Sequence, residues 1–216
     1  MFGRIVNMVS LTFAVKVSKC AVMIESSAAT ARREQIVDAA TGVFLRYGYA
    51  RTTMGDIAQA AGLTRPTLYV AFPDKERIFT AVVEKMIADK LAEIREGLLR
   101  RKTLKEKLCF ACNAWAVDGY KLIQAHPDAA DMFDLGFRSV CAGYDEFAKL
   151  LADILDEPLK KSEHHLSSGR VARTIVFAMK GFKDTATSGD ELCEMIAVHL
   201  TLVAAAIEPK SLPRKG

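Results

Sequence analysis

The stretch "GLTRPTLYVAFPDKE", residues 62–76, gathers Thr64, Arg65, Thr67, Tyr69 and Lys75 into a dozen positions. Two hydroxyls, a guanidinium, a phenol and an ammonium are all hydrogen-bond donors, and donors packed into one short run suit an anionic partner. If a helix starts at Thr64, that hydroxyl lies beside the free backbone N–H groups of the first turn. Arg65 and Thr67 then reach base edges or phosphates from the same turn, and Tyr69 can donate its phenolic O–H to a phosphate. Lys75 opens a further helix, where a cation and free N–H groups together suit an anion. Arg32 and Arg33 precede the first amphipathic run and are placed to follow a phosphate backbone or a minor groove. The plainer reading is solvated charge on a small helical domain.

Those donors are useful only if the elements beneath them are fixed. From Ala31 to Tyr47 the apolar residues Ile36, Ala39, Ala40, Val43, Phe44 and Tyr47 recur at spacings of three and four, which predicts one helix begun at Thr30 and ended by Gly48. Thr52 or Thr53 then caps a short helix, Met54 to Ala61, whose inner face is Ile57, Ala58 and Ala61. Gly62 suits a left-handed turn residue, and Thr64 is the next cap. Pro66 sits in the first helical turn, where its missing N–H costs nothing. Leu63, Leu68 and Phe72 face inward, Pro73 stops the helix, and Asp74 caps the one that follows. Small Ala58, turning Gly62 and locking Leu63 and Leu68 predict a helix-turn-helix.

The whole chain is compatible with this. Its 216 residues are half hydrophobic and carry a net charge of +4, so any nucleic-acid surface has to be local. The five cysteines are odd in number and mostly lie in apolar helical text, which fits free thiols in a reducing cytosol better than a disulfide framework. Residues 1–29 are expected to be a disordered or wrongly assigned extension, with Met8 or Met23 as the start. Lys16 and Lys19 interrupt its apolar run, which is too short to span a bilayer. No Gly-x-Ser-x-Gly, Gly-rich phosphate loop or His-Glu-x-x-His occurs, so no enzyme and no cofactor are expected. Cys109 and Cys112 form a Cys-x-x-Cys without the second pair a zinc site needs, and they read as two buried thiols or, more sharply, as a redox sensor. His164 and His165 sit in a loop beside Glu163, read as solvated, and no metal is expected there.

The segment "IVDAATGVFLRYGYARTTMGDIAQAAGLTRPTLYVAFPDKERIF" resembles the tetracycline-repressor-like (TetR) transcriptional regulators. The likeness covers roughly residues 31–83. It carries an aromatic-Gly helix end, Thr-Thr-Met before the second helix, Ala-Gly-Leu-Thr at the turn, Thr-Leu-Tyr in the reading helix and Phe-Pro-x-Lys-Glu opening the fourth. The resemblance implies an all-α fold: an N-terminal three-helix DNA-binding domain with the helix-turn-helix, residues 30–76, and a larger helical ligand-binding and dimerisation domain, residues 77–210. It implies double-stranded DNA and a second copy of the chain as partners, a palindromic or near-palindromic operator, a small-molecule effector, and a repressor working in the cytoplasm with no membrane partner. Carried over residue by residue, Thr53, Thr64, Arg65, Thr67, Tyr69 and Lys75 are the implied DNA contacts. The family often has His or Tyr after the Leu-Tyr pair, where this chain has Val70 and Ala71. That removes polar contacts or replaces them with an apolar contact to a thymine methyl. The departure keeps a rival open, a redox- or small-molecule-sensing interaction module with a degenerate DNA reader.

Beyond the reader, helices are predicted from Asp74 to Leu99, Leu104 to Ala125, Ser139 to Leu155 (stopping near Pro158), Leu166 to Thr185 and Asp190 to Ile207, with a charged linker "RRKTLKEK" after the first. In the last two helices, Val171, Ile175, Ala178 and Phe182 align, as do Leu192, Met195, Ile196, His199, Leu200, Val203 and Ile207. These stripes fit either a four-helix bundle across a two-fold axis or packing within one subunit, and family members usually dimerise through their last two helices. Trp115, Tyr120, Met132, Phe133, Phe137, Tyr144 and Phe177 are the candidates for an effector pocket between the middle helices, or are plain core.

Overall fold

The computed structural model describes residues 6–163 and 165–207, with side chains from Ser27 onward. The expectations for residues 1–29, including Met8, Met23 and Cys20, therefore fall largely outside the described side chains, and His164 falls outside the described residues. Eight α-helices run in order among the described residues: α1 Val6–Arg51, α2 Met54–Ala60, α3 Arg65–Ala71, α4 Lys75–Leu98, α5 Leu104–Ala125, α6 Arg138–Lys161, α7 Ser168–Thr185 and α8 Gly189–Ile207. A 3-10 turn, Pro127–Phe133, lies between α5 and α6. No strand occurs among the described residues, so the all-α expectation holds.

Two compact units divide the chain. The first runs to Phe44 and resumes over Arg51–Val82; the second takes Leu45–Ala50 and the chain from Val83. Thr30 lies inside α1 rather than capping it. Gly48 breaks that helix as expected, with φ 75° and ψ 168°, a conformation that a Cβ would strain. In the first unit Ile36, Ala40, Phe44, Ile57, Leu68, Phe72, Ile78 and Phe79 are buried, and Phe44 meets Phe79 edge-on at 5.5 Å.

The second unit has one continuous apolar cluster drawn from α4 to α8, including Ile94, Leu108, Phe147, Leu151, Ile175, Leu192, Ile196 and Leu200. Of the two packings open to the stripes on α7 and α8, the inward residues take the one within the subunit. Ile175, Leu192, Ile196, Leu200 and Ile207 fill the subunit's own core, because the inward face of α8 has α5 to pack against. The large apolar residues left outside on α7 and α8 are Phe177, Val198 and Leu202, each more than half exposed. A correction concerns Pro158. α6 passes through it to Lys161, since near a helix end proline forfeits one backbone bond while Leu155 and Leu159 stay buried on the core.

Candidate nucleic-acid interface and internal cavity

The helix-turn-helix is held by local backbone chemistry. Thr53 caps α2: its hydroxyl accepts from the Asp56 N–H at 3.3 Å, while the Asp56 carboxylate accepts from the Thr53 N–H at 2.9 Å and from its hydroxyl at 2.7 Å. This reciprocal capping box holds the Asp56 carboxyl below its ordinary range, chiefly through those bonds. Thr52, the other candidate cap, is buried. At the far end of α2, Gly62 has φ 66°. Its N–H donates to Gln59 O at 3.1 Å, and the Leu63 N–H donates to Ala58 O at 2.9 Å, a Schellman turn. Thr64 caps α3, with its hydroxyl 2.8 Å from that of Thr67.

The predicted donors separate into two groups. Arg33 and Lys75 are committed to the fold. The Arg33 guanidinium donates to the Ala71 carbonyl and stacks 3.9 Å over the Phe72 ring, closing the end of α3. Lys75 Nζ donates to Thr52 O at 2.9 Å and so ties the start of α4 to the loop before α2. Arg32, Thr53, Thr64, Arg65, Tyr69 and Val70 are solvent-facing, with Tyr69 51% and Val70 90% exposed, and Thr67 is half-buried. Arg65 lies across α2: a Cβ placed on Gly55 would collide with its Nη2 and come within 3.1 Å of its Cζ and Nε. The sequence reading passed over Gly55 and Asp56, although the Thr-x-x-Asp spacing after Thr53 signals the capping box.

In the second unit a cavity of about 370 Å³ opens among α4, α5, α6, α7 and the 3-10 turn. Trp115, Met132, Phe133 and Tyr144 line it, joined by Met86, Ile87, Lys90, Asp118, Leu122 and Lys183, which sequence reasoning did not single out. Trp115 is fixed by stacking on Phe147 at 4.4 Å and by an edge contact with Tyr144 at 5.9 Å. Tyr120, Phe137 and Phe177 are elsewhere: Tyr120 packs on the core, Phe137 meets Tyr49 edge-on at 4.8 Å, and Phe177 faces solvent with Arg173 near its ring. Lys90 donates to Glu93 at 2.6 Å and to Asp118 at 3.0 Å. Burial works to lower its pKa, but those two bonds outweigh burial and hold it above the ordinary lysine value. Burial pushes the Lys183 ammonium down, with its Nζ 5.6 Å from the centre of the Phe133 ring.

The Cys-x-x-Cys pair is poorly suited to redox chemistry. Cys112 is fully buried, and burial pushes its thiol well above the ordinary range; Cys109 is pushed up for the same reason. Among the described residues no three His, Cys, Asp or Glu side chains converge as a metal would need, and no helix is long and apolar enough to cross a membrane.

A capped, Gly-turned helix pair with an exposed outer face, followed by a larger all-helical unit, defines a helix-turn-helix protein. Residues 36–82 match the family described as bacterial regulatory proteins, tetR family. Among curated relatives, the HTH-type transcriptional repressor ComR of Escherichia coli is 37% identical over 67 residues, 31% of this chain and 31% of that protein. The HTH-type transcriptional activator FasR of Mycolicibacterium smegmatis is 31% identical over 98 residues, 43% of this chain and 45% of that one. The matched segments thus span only 31% and 45% of those relatives' length. The crystal structure of the transcriptional regulator FadR from Bacillus subtilis, in complex with stearoyl-CoA, shares the fold with a TM-score of 0.61 at 23% identity, over 81% of this chain and 99% of that one. Residues 36–82 are thus similar in sequence to the TetR family of regulators, and most of the chain is similar in fold to the FadR structure.

Proposed function

We propose that this protein is a sequence-specific DNA-binding transcriptional repressor that works as a homodimer on a palindromic operator and responds to a small molecule held in the cavity of its second unit. The observation that carries the proposal is α3: capped at Thr64, seated on α2 by the Gly62 turn, and turning Tyr69 and Val70 outward within the segment that matches the tetR family. The N-terminal end of α3 enters the major groove. Arg65 and Thr67 read base edges, Tyr69 and Arg32 engage phosphates, and Thr53 and Thr64 add hydroxyls beside helix N-termini. Val70 offers a methyl surface for a thymine methyl. Arg33 and Lys75 hold the reading helix in place through the carbonyls of Ala71 and Thr52, and they add positive charge near the phosphates.

Dimerisation through the outer faces of α7 and α8 fits the exposed Phe177, Val198 and Leu202, and presents two reading helices to half-sites roughly 34 Å apart. Effector response is supported by the cavity and by the 3-10 turn that walls it. Met132 and Phe133 line the cavity, and the preceding Asp131 holds the backbone next to the Gly48 break in α1. A ligand pressing on that turn shifts Asp131, and with it the chain that leads into α2.

Selection of bound duplexes from a random library with the full chain tests the reading. The expected result is an enriched inverted repeat whose binding weakens steeply as salt rises. A folded protein that enriches no sequence would refute it and return the interaction-module alternative.

A further inference from the structure

We infer that the cavity is a site for a compact amphipathic anion, a molecule with an apolar body and a single carboxylate head, and that Lys183 is the residue that takes the head. The inference rests on the effector reading above and specifies the ligand's chemistry.

The charge inventory of the cavity wall carries it. The charged side chains that line it are Lys90, Asp118 and Lys183. Lys90 and Asp118 neutralise each other at 3.0 Å, and Glu93 further satisfies Lys90 at 2.6 Å. Lys183 has no carboxylate partner among the described residues. The acid next to it in sequence, Asp184, is held by Lys180 at 2.8 Å. The Phe133 ring lies 5.6 Å from the Lys183 ammonium, and the Asp184 carboxylate acts on it only from beyond ion-pair distance; neither replaces a direct carboxylate partner. Among the side chains that line the cavity two lysines therefore face one carboxylate, and Lys183, largely withdrawn from water, is the one without an ion pair.

An uncompensated cation withdrawn from water is costly, and the cost is recovered when an anion meets it. Burial already lowers the pKa of this amine, and an anion at its Nζ reverses that effect. The rest of the wall is apolar: Val83, Met86, Ile87, Leu122, Met132 and Val140. At about 370 Å³ the cavity is near the lower end of the range for small-molecule sites, so the body is compact. Tyr144 also lines the wall, and its phenol is a second donor for the head. A CoA thioester, in contrast, puts a neutral carbonyl where the carboxylate would be and keeps its anionic groups at a distance.

Four ten-carbon probes separate the possibilities, each titrated calorimetrically into the full-length protein below its aggregation concentration: decanoate, decanol, decyltrimethylammonium and decanoyl-CoA. Decanoate is expected to bind at least tenfold more tightly than the other three. Lys183→Met should erase that preference while decanol binding persists, and Lys183→Arg should keep it. Removing an uncompensated charge leaves Lys183→Met at least as thermally stable as the parent, so lost binding is not lost folding. Equal affinity for decanoate and decanol overturns the inference, as does tightest binding of the ammonium or of decanoyl-CoA, or an anion preference that survives Lys183→Met. Binding of none of the probes overturns it as well. Failure of the effector reading has a different signature: decanoate binds through Lys183, yet the complex with the selected operator does not change.

Discussion

The carboxylate of Asp131 accepts a hydrogen bond from the backbone N–H of Tyr49 at 2.9 Å, and its second oxygen accepts from the N–H of Ala50 at 2.8 Å. These two donors follow Gly48, where α1 breaks, so one side chain of the 3-10 turn satisfies backbone that the helix has abandoned. Asp131→Ala leaves both donors without that partner and should lower stability by about 1–3 kcal/mol. Gly48→Ala should be at least as damaging, because φ is positive there and the added Cβ runs into the Asp128 carbonyl. Urea denaturation of the two variants checks this, and loss of stability below a few tenths of a kcal/mol would sink the assignment. In operator-binding assays Asp131→Ala should also blunt the response to an effector, with basal DNA affinity changed less.

Arg65 occupies space that only a glycine at position 55 leaves open. The Gly55→Ala variant is expected to fold normally, since the atom displaced is the mobile end of a long side chain and alanine favours helix. Its operator affinity should nonetheless fall about 5- to 100-fold, the range for losing one base-reading contact. Arg65→Ala should fall by a similar amount, and the double variant should be no worse than Arg65→Ala. Additive losses would show that Gly55 acts by some route other than Arg65.

Val70 tests the departure from the family pattern. At 90% exposure it contributes little to the core, so Val70→Asn should leave the melting temperature within a degree or two, a surface-sized effect. The substitution should alter base preference at one half-site position, read by repeating the duplex selection. An unchanged selected sequence would remove Val70 from the interface.

The reader was legible because its rules are local. Gly62, Thr64 and Pro66 each act within four residues along the chain, so sequence spacing alone specified turn, cap and helix start. The α8 stripe was equally legible as a stripe, but periodicity does not name the neighbour, and Leu192, Ile196 and Leu200 turned out to meet their own subunit. Arg33 and Lys75 looked like free cations because their partners are backbone carbonyls 38 and 23 residues away, invisible to composition. Lys183 carried no signal at all: a lysine near the end of an amphipathic helix reads as solvated until the cavity beside it is known.

Thiol chemistry provides a separate check. Cys141 is exposed, whereas Cys112 is fully buried and its thiol is pushed well up by burial. In the folded protein iodoacetamide should label Cys141 early and Cys112 only after denaturant is added. Mild oxidation should leave operator affinity unchanged. Reversible loss of binding that disappears in Cys112→Ser would instead establish the pair as a sensor.

His199 gives the fold a pH dependence. Its Nε2 is buried without a hydrogen-bond partner, its ring meets Phe182 edge-on at 5.6 Å, and burial lowers its pKa below the ordinary histidine value of 6.5. The folded state thus binds the proton less readily than the unfolded chain. The stabilisation is complete above the unfolded value and is lost as pH falls below about 6.5 toward the depressed folded value. Thermal melts taken between about pH 8 and pH 5 should show the parent losing stability on the acid side. His199→Leu, which keeps the volume and removes the titration, should lose distinctly less over the same interval. Parallel curves for the two proteins would mean that other groups carry the acid sensitivity and that His199 titrates alike in both states.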